Sequence, residues 1–308
     1  MREYDGMCII MAVLRDSERA AELMLLIVVC IWGANFIVIK SAFRDMPPLA
    51  FNAVRMTVAA LVLGVIWGVR EREKTMPWSD WLSLLGVGLL GNTLYQLLFV
   101  TGLDLTTSGV ASLLIGTIPI WAALLARALG WERITPRTWL GIFLAFGGVA
   151  LVTLGSPSGL AKNTVVGNAL TLLAAACWAG YTVLSKRLLQ KYSALRVSAV
   201  GLLLGVPGLW PFAMSDLLSL DWRALSLGLW GSILYAGSIS VAVAYIIWSY
   251  GVQKLGAART AVFNNLVPLV TFALAFLVLH EPVTWVQLIG GAIALAGVWQ
   301  ATKKPPHP

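Results

Sequence analysis

Apolar positions in this chain neither alternate nor keep to one helical face; they run on. Apolar stretches of about 17 to 25 residues, each long enough to cross ~30 Å of hydrocarbon as a helix, follow one another along the sequence. Short segments rich in proline and charge separate them. These breaks predict ten spanning helices, at about 21–41, 49–70, 79–101, 105–130, 136–154, 166–189, 195–216, 225–250, 256–279 and 284–302. The fold class that follows is an all-α integral membrane protein, because only a helix or a closed barrel satisfies its own backbone in lipid.

Four of the runs are interrupted along one face. Trp32, Asn35, Phe36 and Ile39 share a face of the first helix, and Trp178, Tyr181, Thr182 and Ser185 share one of the sixth. The third carries Asn92, Tyr95, Gln96 and Phe99, and the eighth carries Ser238, Tyr245, Trp248 and Ser249. Singly, such groups serve as glue between membrane helices. Four matching stripes favour a cavity lined by rings and uncharged polar atoms, suited to a small zwitterion or an aromatic metabolite. In that cavity Trp32, Phe99, Trp178 and Trp248 are expected to pack a substrate's side chain. Asn35, Tyr95, Gln96, Tyr181, Tyr245 and Asn265 are expected to hydrogen-bond its polar end.

The stripes belong to an internal repeat. An offset of 149 residues sets Pro119 on Pro268, Glu132 on Glu281, and Gly141, Ala145 and Gly148 on Gly290, Ala294 and Gly297. At an offset of 146, Trp32 falls on Trp178 and Lys40 on Lys186. Each half holds five predicted helices, and an odd number turns the second half over in the membrane. Two inverted five-helix repeats, 21–155 and 166–302, are therefore expected around a central cavity. A segment at 1–20, cytoplasmic or interfacial, precedes them, a linker at 156–165 joins them, and a tail at 303–308 follows. Pro119 and Pro268, with Gly116 nearby, are expected hinges for paired gates. The small residues of the fifth and tenth helices read as scaffold or homodimer contacts.

Composition agrees: 59% of the 308 residues are hydrophobic and 12% charged, which leaves little for a soluble domain. The net charge of +8 does not indicate nucleic acid, since the basic residues are scattered among the breaks. With a cytoplasmic amino terminus, 17 of the 22 lysines and arginines fall in inside segments. The positive-inside rule then puts both termini in the cytoplasm of a multi-pass protein of the inner or plasma membrane. Trp78, Trp81, Trp139 and Trp285, near helix ends, read as interfacial anchors. Cys8, Cys30 and Cys177 show no CxxC spacing, and His280 and His307 are the only histidines, so no metal site, cofactor or catalytic group is expected.

Among ionisable groups, Arg55 lies inside the second predicted helix. Three roles are open to it, snorkelling, pairing with Asp45 or attracting a substrate carboxylate, and snorkelling or a structural pairing is expected ahead of direct substrate contact. Lys40 and Lys186 are expected to snorkel toward opposite faces, with guidance of anionic groups as a secondary role. Glu22, Asp104, Glu132 and Glu281 fall near helix ends, so no acid is placed to cycle a proton at midplane.

These residues resemble the EamA branch of the drug/metabolite transporter superfamily: "WGANF" in the first helix, Arg55 in the second, the segments from Pro119 to Glu132 and from Pro268 to Glu281, and the glycine seams. The resemblance covers roughly residues 21 to 302, and within the family the chain looks most like the YddG-type aromatic amino-acid exporters. It implies ten helices in two inverted halves around a basket, alternating access, and export of amino acids or related metabolites. The expected partners are that small-molecule substrate and the lipid bilayer. The rival expectation is a proton-coupled exporter of other metabolites or lipophilic cations.

Overall fold

The computed structural model describes residues 18–71, 75–130, 136–155, 162–280 and 283–302. The leader up to residue 17, Glu132, Glu281, most of the expected linker and the tail lie outside the described residues. The described chain folds into helices α1 (Glu18–Ala42), α2 (Pro48–Arg70), α3 (Trp78–Leu105), α4 (Ser108–Leu125), α5 (Pro136–Leu154), α6 (Thr164–Leu189), α7 (Ala194–Ser219), α8 (Leu227–Leu255), α9 (Arg259–Leu279) and α10 (Trp285–Thr302). Among the described residues, eight of these are long and apolar enough to cross a membrane. The other two, α5 and α10, carry shorter apolar stretches, Trp139–Val152 and Trp285–Gln300.

The bundle is apolar outside and polar within. Leu61, Val65, Val69 and Leu227 stand exposed on its surface, while Asn35, Asn52, Arg55, Asn92 and Gln96 are buried. That arrangement suits a lipid surround, where a polar side chain gains nothing by facing outward.

Helices α1 and α6 each cross into the other half. The first packs on α8 and α9, the second on α3 and α4. Their tryptophan faces are thereby delivered to the seam between the halves. Near that seam α3 and α8 each loosen into a π-helical stretch, Leu89–Leu94 and Tyr235–Val243. The 149-residue offset carries the first stretch onto the end of the second. A π turn inserts a residue and re-aims those that follow it, here Tyr95 and Gln96 in one half and Tyr245 in the other.

Helices α4 and α9 are broken at equivalent points. The first stops at Ile115 and resumes at Ile118, with Pro119 in its new first turn. The second passes through a 3-10 turn at Phe263–Leu266 before Val267, with Pro268 next. Proline removes a backbone donor and crowds the carbonyl four residues back, so the ladder opens there. Thr117 fills part of the gap: its hydroxyl donates to the Leu114 carbonyl at 2.6 Å and accepts from the Trp121 indole at 3.2 Å.

The fifth and tenth helices pack against each other antiparallel, Gly148 against Gly290 and Ala294, and Gly297 against Gly141 and Ala145. Both small-residue faces are consumed in this contact, so the seam is internal scaffold. A Cβ on Gly148 would meet the Gly290 carbonyl oxygen at 2.5 Å, whereas one on Gly147 meets nothing within 4 Å. Gly148→Ala should therefore cost about 1–3 kcal/mol, the usual penalty of overpacking, with a lower thermal midpoint in detergent. Gly147→Ala, on the open face of the same helix, should leave that midpoint unchanged or slightly higher.

Candidate functional site

Where α1, α3, α6 and α8 meet, their aromatic side chains form one connected cluster. Trp32 sets its ring 5.7 Å from Trp178, edge to face, and 5.0 Å from Trp248. Trp178 in turn stands 4.9 Å from Tyr95, 4.9 Å from Tyr181 and 5.0 Å from Tyr245. Tyr95 stacks on Phe99 at 5.5 Å, and Phe99 meets Phe36 edge on at 5.4 Å. Each such pair is worth about 0.5–1.5 kcal/mol beyond burial, so the cluster braces both halves. Trp32 and Trp178, matched by the repeat, touch each other. Gln96 and Tyr245, matched by the other offset, are also joined: the Gln96 amide donates to the Tyr245 hydroxyl at 3.0 Å. Direct contact between equivalent residues marks the line about which the halves are related.

A cavity of about 40 Å³ lies beside this cluster. Its wall includes Trp32, Asn35, Phe36, Tyr95, Gln96, Phe99, Trp178 and Tyr245. Seven of the ten residues expected to bind substrate thus share one cavity: Trp32, Asn35, Tyr95, Gln96, Phe99, Trp178 and Tyr245. Tyr181, Trp248 and Asn265 do not line it. Trp248 is sealed behind Trp32 and Trp178, its indole donating to the Thr182 hydroxyl at 3.3 Å. Tyr181 packs over Gly91. Asn264, its amide nitrogen unpartnered, faces the cavity in place of Asn265. Of the expected hinge residues, Gly116 sits at the break in α4 and faces Pro268: a Cβ there would lie 3.4 Å from the proline ring.

Two charged residues differ from expectation. Arg55 neither snorkels nor pairs with Asp45. It is buried on the cavity wall, 1% exposed. Its Nε donates to Asn52 Oδ1 at 3.1 Å and its Nη2 to Gln96 Oε1 at 2.7 Å. Helix α8 presses close here, since a Cβ on Gly237 would stand 2.5 Å from the Arg55 carbonyl oxygen. Asn52 and Arg55, three residues apart in an apolar run, were the available signal for a polar inward face. Lys40 also turns inward: its ammonium donates to the carbonyls of Leu103, Asp104 and Thr106 at 2.8, 2.8 and 2.9 Å. Those carbonyls end α3, and a cation there meets the negative end of the helix dipole.

Two carboxylates make side-chain contacts between the halves at the end of the bundle that holds the start of α1. Asp80 accepts from Lys191 at 3.0 Å and from the Tyr192 hydroxyl at 2.6 Å, which holds the Tyr192 phenol above its ordinary pKa. Glu71 accepts from Arg196 at 2.7 Å and from Ser193. Both contacts join the first half to the second. At the opposite end Lys40, Phe43, Arg44, Asp104 and Leu279 surround a hollow of about 260 Å³. Among the described residues no group of three or more histidines, cysteines or acids could hold a metal.

Comparison with known proteins agrees with this architecture. An uncharacterised transporter of Archaeoglobus fulgidus is 31% identical over 282 residues, covering 92% of this chain and 98% of its own. A probable terminal-alkyne amino-acid exporter of Streptantibioticus cattleyicolor is 29% identical over 279 residues, 89% of this chain and 90% of its own. One solved crystal structure superposes with a TM-score of 0.67 over 93% of this chain and 99% of its own; at 21% identity it speaks to the fold. The EamA-like transporter family matches twice, at residues 19–154 and 165–302, so the two halves are two copies of its unit. A multi-pass helical chain whose halves each match that unit, and whose polar groups gather between them, belongs to the EamA-like transporter family.

Proposed function

We propose that this transporter is a secondary exporter of small amphipathic metabolites, chiefly aromatic and other neutral amino acids, working by alternating access. In this reading the ten helices all span the inner or plasma membrane, the halves are inverted, and both termini are cytoplasmic. One observation carries it: rings from both halves and unpartnered amide atoms share the wall of one cavity. Trp32, Trp178, Tyr95 and Phe99 offer faces to an apolar side chain, while the buried Asn35 Oδ1 and Asn264 Nδ2 have no hydrogen-bond partner among the described residues. A buried amide left open is costly unless a ligand or water completes it. The relative described as a probable amino-acid exporter supports the substrate class. The likeness to YddG-type exporters lies in the same aromatic faces.

Motion would come from the broken helices. The interruptions at Gly116–Thr117 and Phe263–Leu266 flank the cavity, and the Asp80–Lys191 and Glu71–Arg196 pairs would hold one end shut.

Counterflow in liposomes tests the substrate class, with tryptophan, phenylalanine, methionine, threonine, a nucleoside and a quaternary amine as cargo, each with and without a pH gradient. Aromatic and neutral amino acids should exchange without the gradient. Gradient-dependent flux of the quaternary amine alone would favour a proton-coupled cation exporter instead. Trp178→Leu should weaken phenylalanine by about 3- to 10-fold, the worth of one ring contact, and threonine by less.

Cavity access is tested with Cys8, Cys30 and Cys177 changed to serine. Ile118→Cys, on the cavity wall, should react with a water-soluble thiol reagent and be protected by phenylalanine. Ala175→Cys, fully buried in α6, should not react; equal inertness at both positions would argue against a water-filled pathway.

A further inference from the structure

The cavity wall holds a cation, Arg55, that pairs with no carboxylate among the described residues. The ion pairs among the described residues, Lys191 with Asp80, Arg196 with Glu71, and Arg259 with Glu18 and Glu22, all involve other residues. Among the described residues the acceptors of Arg55 are neutral, the side-chain oxygens of Asn52 and Gln96. A guanidinium carries five N–H donors, and two of them are engaged here. A buried charge without a counter-ion costs several kcal/mol even when hydrogen-bonded, so in membrane helices such groups pair, face water or serve a ligand.

Two further polar groups on the same wall are open. Asn35 and Asn264 are 7% and 1% exposed, and Asn35 Oδ1 and Asn264 Nδ2 have no partner. The wall therefore offers one fixed cation, one open amide oxygen and one open amide N–H next to a set of rings. A fork of parallel N–H donors matches a planar carboxylate better than any other common anion of metabolite size.

We infer that Arg55 is the carboxylate-reading residue of this site, and that the cargo is a small carboxylate-bearing amphiphile rather than an amine, an amide or a neutral drug. This deepens the amino-acid reading above and rests on the same cavity. Arg55 takes the carboxylate through its free N–H donors, the Asn35 oxygen accepts from an ammonium where the cargo has one, and the ring cluster takes the apolar part. Asn52 and Gln96 are positioning residues: each holds one nitrogen of the guanidinium and so fixes the plane of the fork. Amines are excluded by repulsion from the uncompensated cation, and amides by losing the charge that would neutralise it. The rival role for Arg55 is a structural pin between α2 and the Gln96–Tyr245 contact.

The test uses four probes of similar shape on the full-length protein: L-phenylalanine, 3-phenylpropanoate, L-phenylalaninamide and phenethylamine. Binding is read by tryptophan fluorescence and thermal shift, and transport by counterflow. Wild type should bind and move both carboxylates in preference to the amide and the amine. Arg55→Gln should weaken the carboxylates by roughly 30-fold or more, as expected for truncating one side of a buried charge pair, and leave the amide unchanged or stronger. Arg55→Lys keeps the charge without the fork and should fall between them.

A loss in Arg55→Gln that is equal for all four probes would assign the pin role and overturn the inference. Wild type that takes phenylalaninamide as well as phenylalanine would overturn it without any variant, so a misfolded Arg55→Gln does not decide the matter. Flux of 3-phenylpropanoate without phenylalanine would uphold Arg55 and defeat the amino-acid reading. Flux of amines alone would defeat both.

Discussion

Hydrocarbon offers no hydrogen bonds, and that single constraint organises this chain. Every polar group inside the bundle must find its partner in protein, in trapped water or in a ligand. Backbone groups solve the problem within each helix. Side chains solve it by collecting along the line where the halves meet, where Gln96 reaches Tyr245 and Trp32 donates to the Ser240 carbonyl at 2.9 Å. The polar stripes, the close helix contacts and the placement of the cavity are consequences of one requirement. Among the groups that stay open after this sorting, Asn35 Oδ1, Asn264 Nδ2 and the free donors of Arg55 line the hollow, while Asn52 Nδ2, Asn92 Oδ1, Tyr250 OH and Asn265 Oδ1 lie away from its wall.

The large features were legible in the sequence because they are periodic. Runs of oily residues gave the helices, and repeated proline and glycine positions gave the two halves that the family match later fell on. Trp32, Asn35, Tyr95, Gln96, Phe99, Trp178 and Tyr245 converge on one cavity because helical spacing and the repeat both pointed inward at them. What failed to show was local phase. Asn265 was expected inward, yet the turn at Phe263–Leu266 winds at ~120° per residue rather than ~100° and presents Asn264 instead. Trp248 does lie on the inner face of α8, but one turn beyond Tyr245, and the neighbouring tryptophans cover it.

Charge was the other illegible element. Depth along a helix can be counted from a sequence, but the face a long side chain takes depends on what packs beside it. Lys40 sits near the end of α1, where reaching outward is the default. The open carbonyls at the end of α3 lie within reach and give its ammonium three acceptors. Arg55 is held inward by the close approach of α8 at Gly237 and by Asn52 one turn earlier on its own helix. Neither cause is local to the residue it governs.

The size of the cavity bears on how such a site could work. At about 40 Å³ it has room for a few waters, whereas sites for small organic ligands usually measure ~300 Å³ or more. The difference is filled by the protein's own rings, chiefly Trp32, Trp178, Tyr95 and Tyr245. An aromatic cargo entering here would therefore displace rings from one another and replace each lost contact with one of the same kind. Such an exchange is close to neutral in dispersion and quadrupole terms, so it demands little net energy from the apolar part of the cargo. The decisive gain must then come from groups that have no substitute within the protein. On this wall those are the open amides and the free donors of Arg55, so cargo choice would rest on its polar end while the rings tolerate variety in the rest.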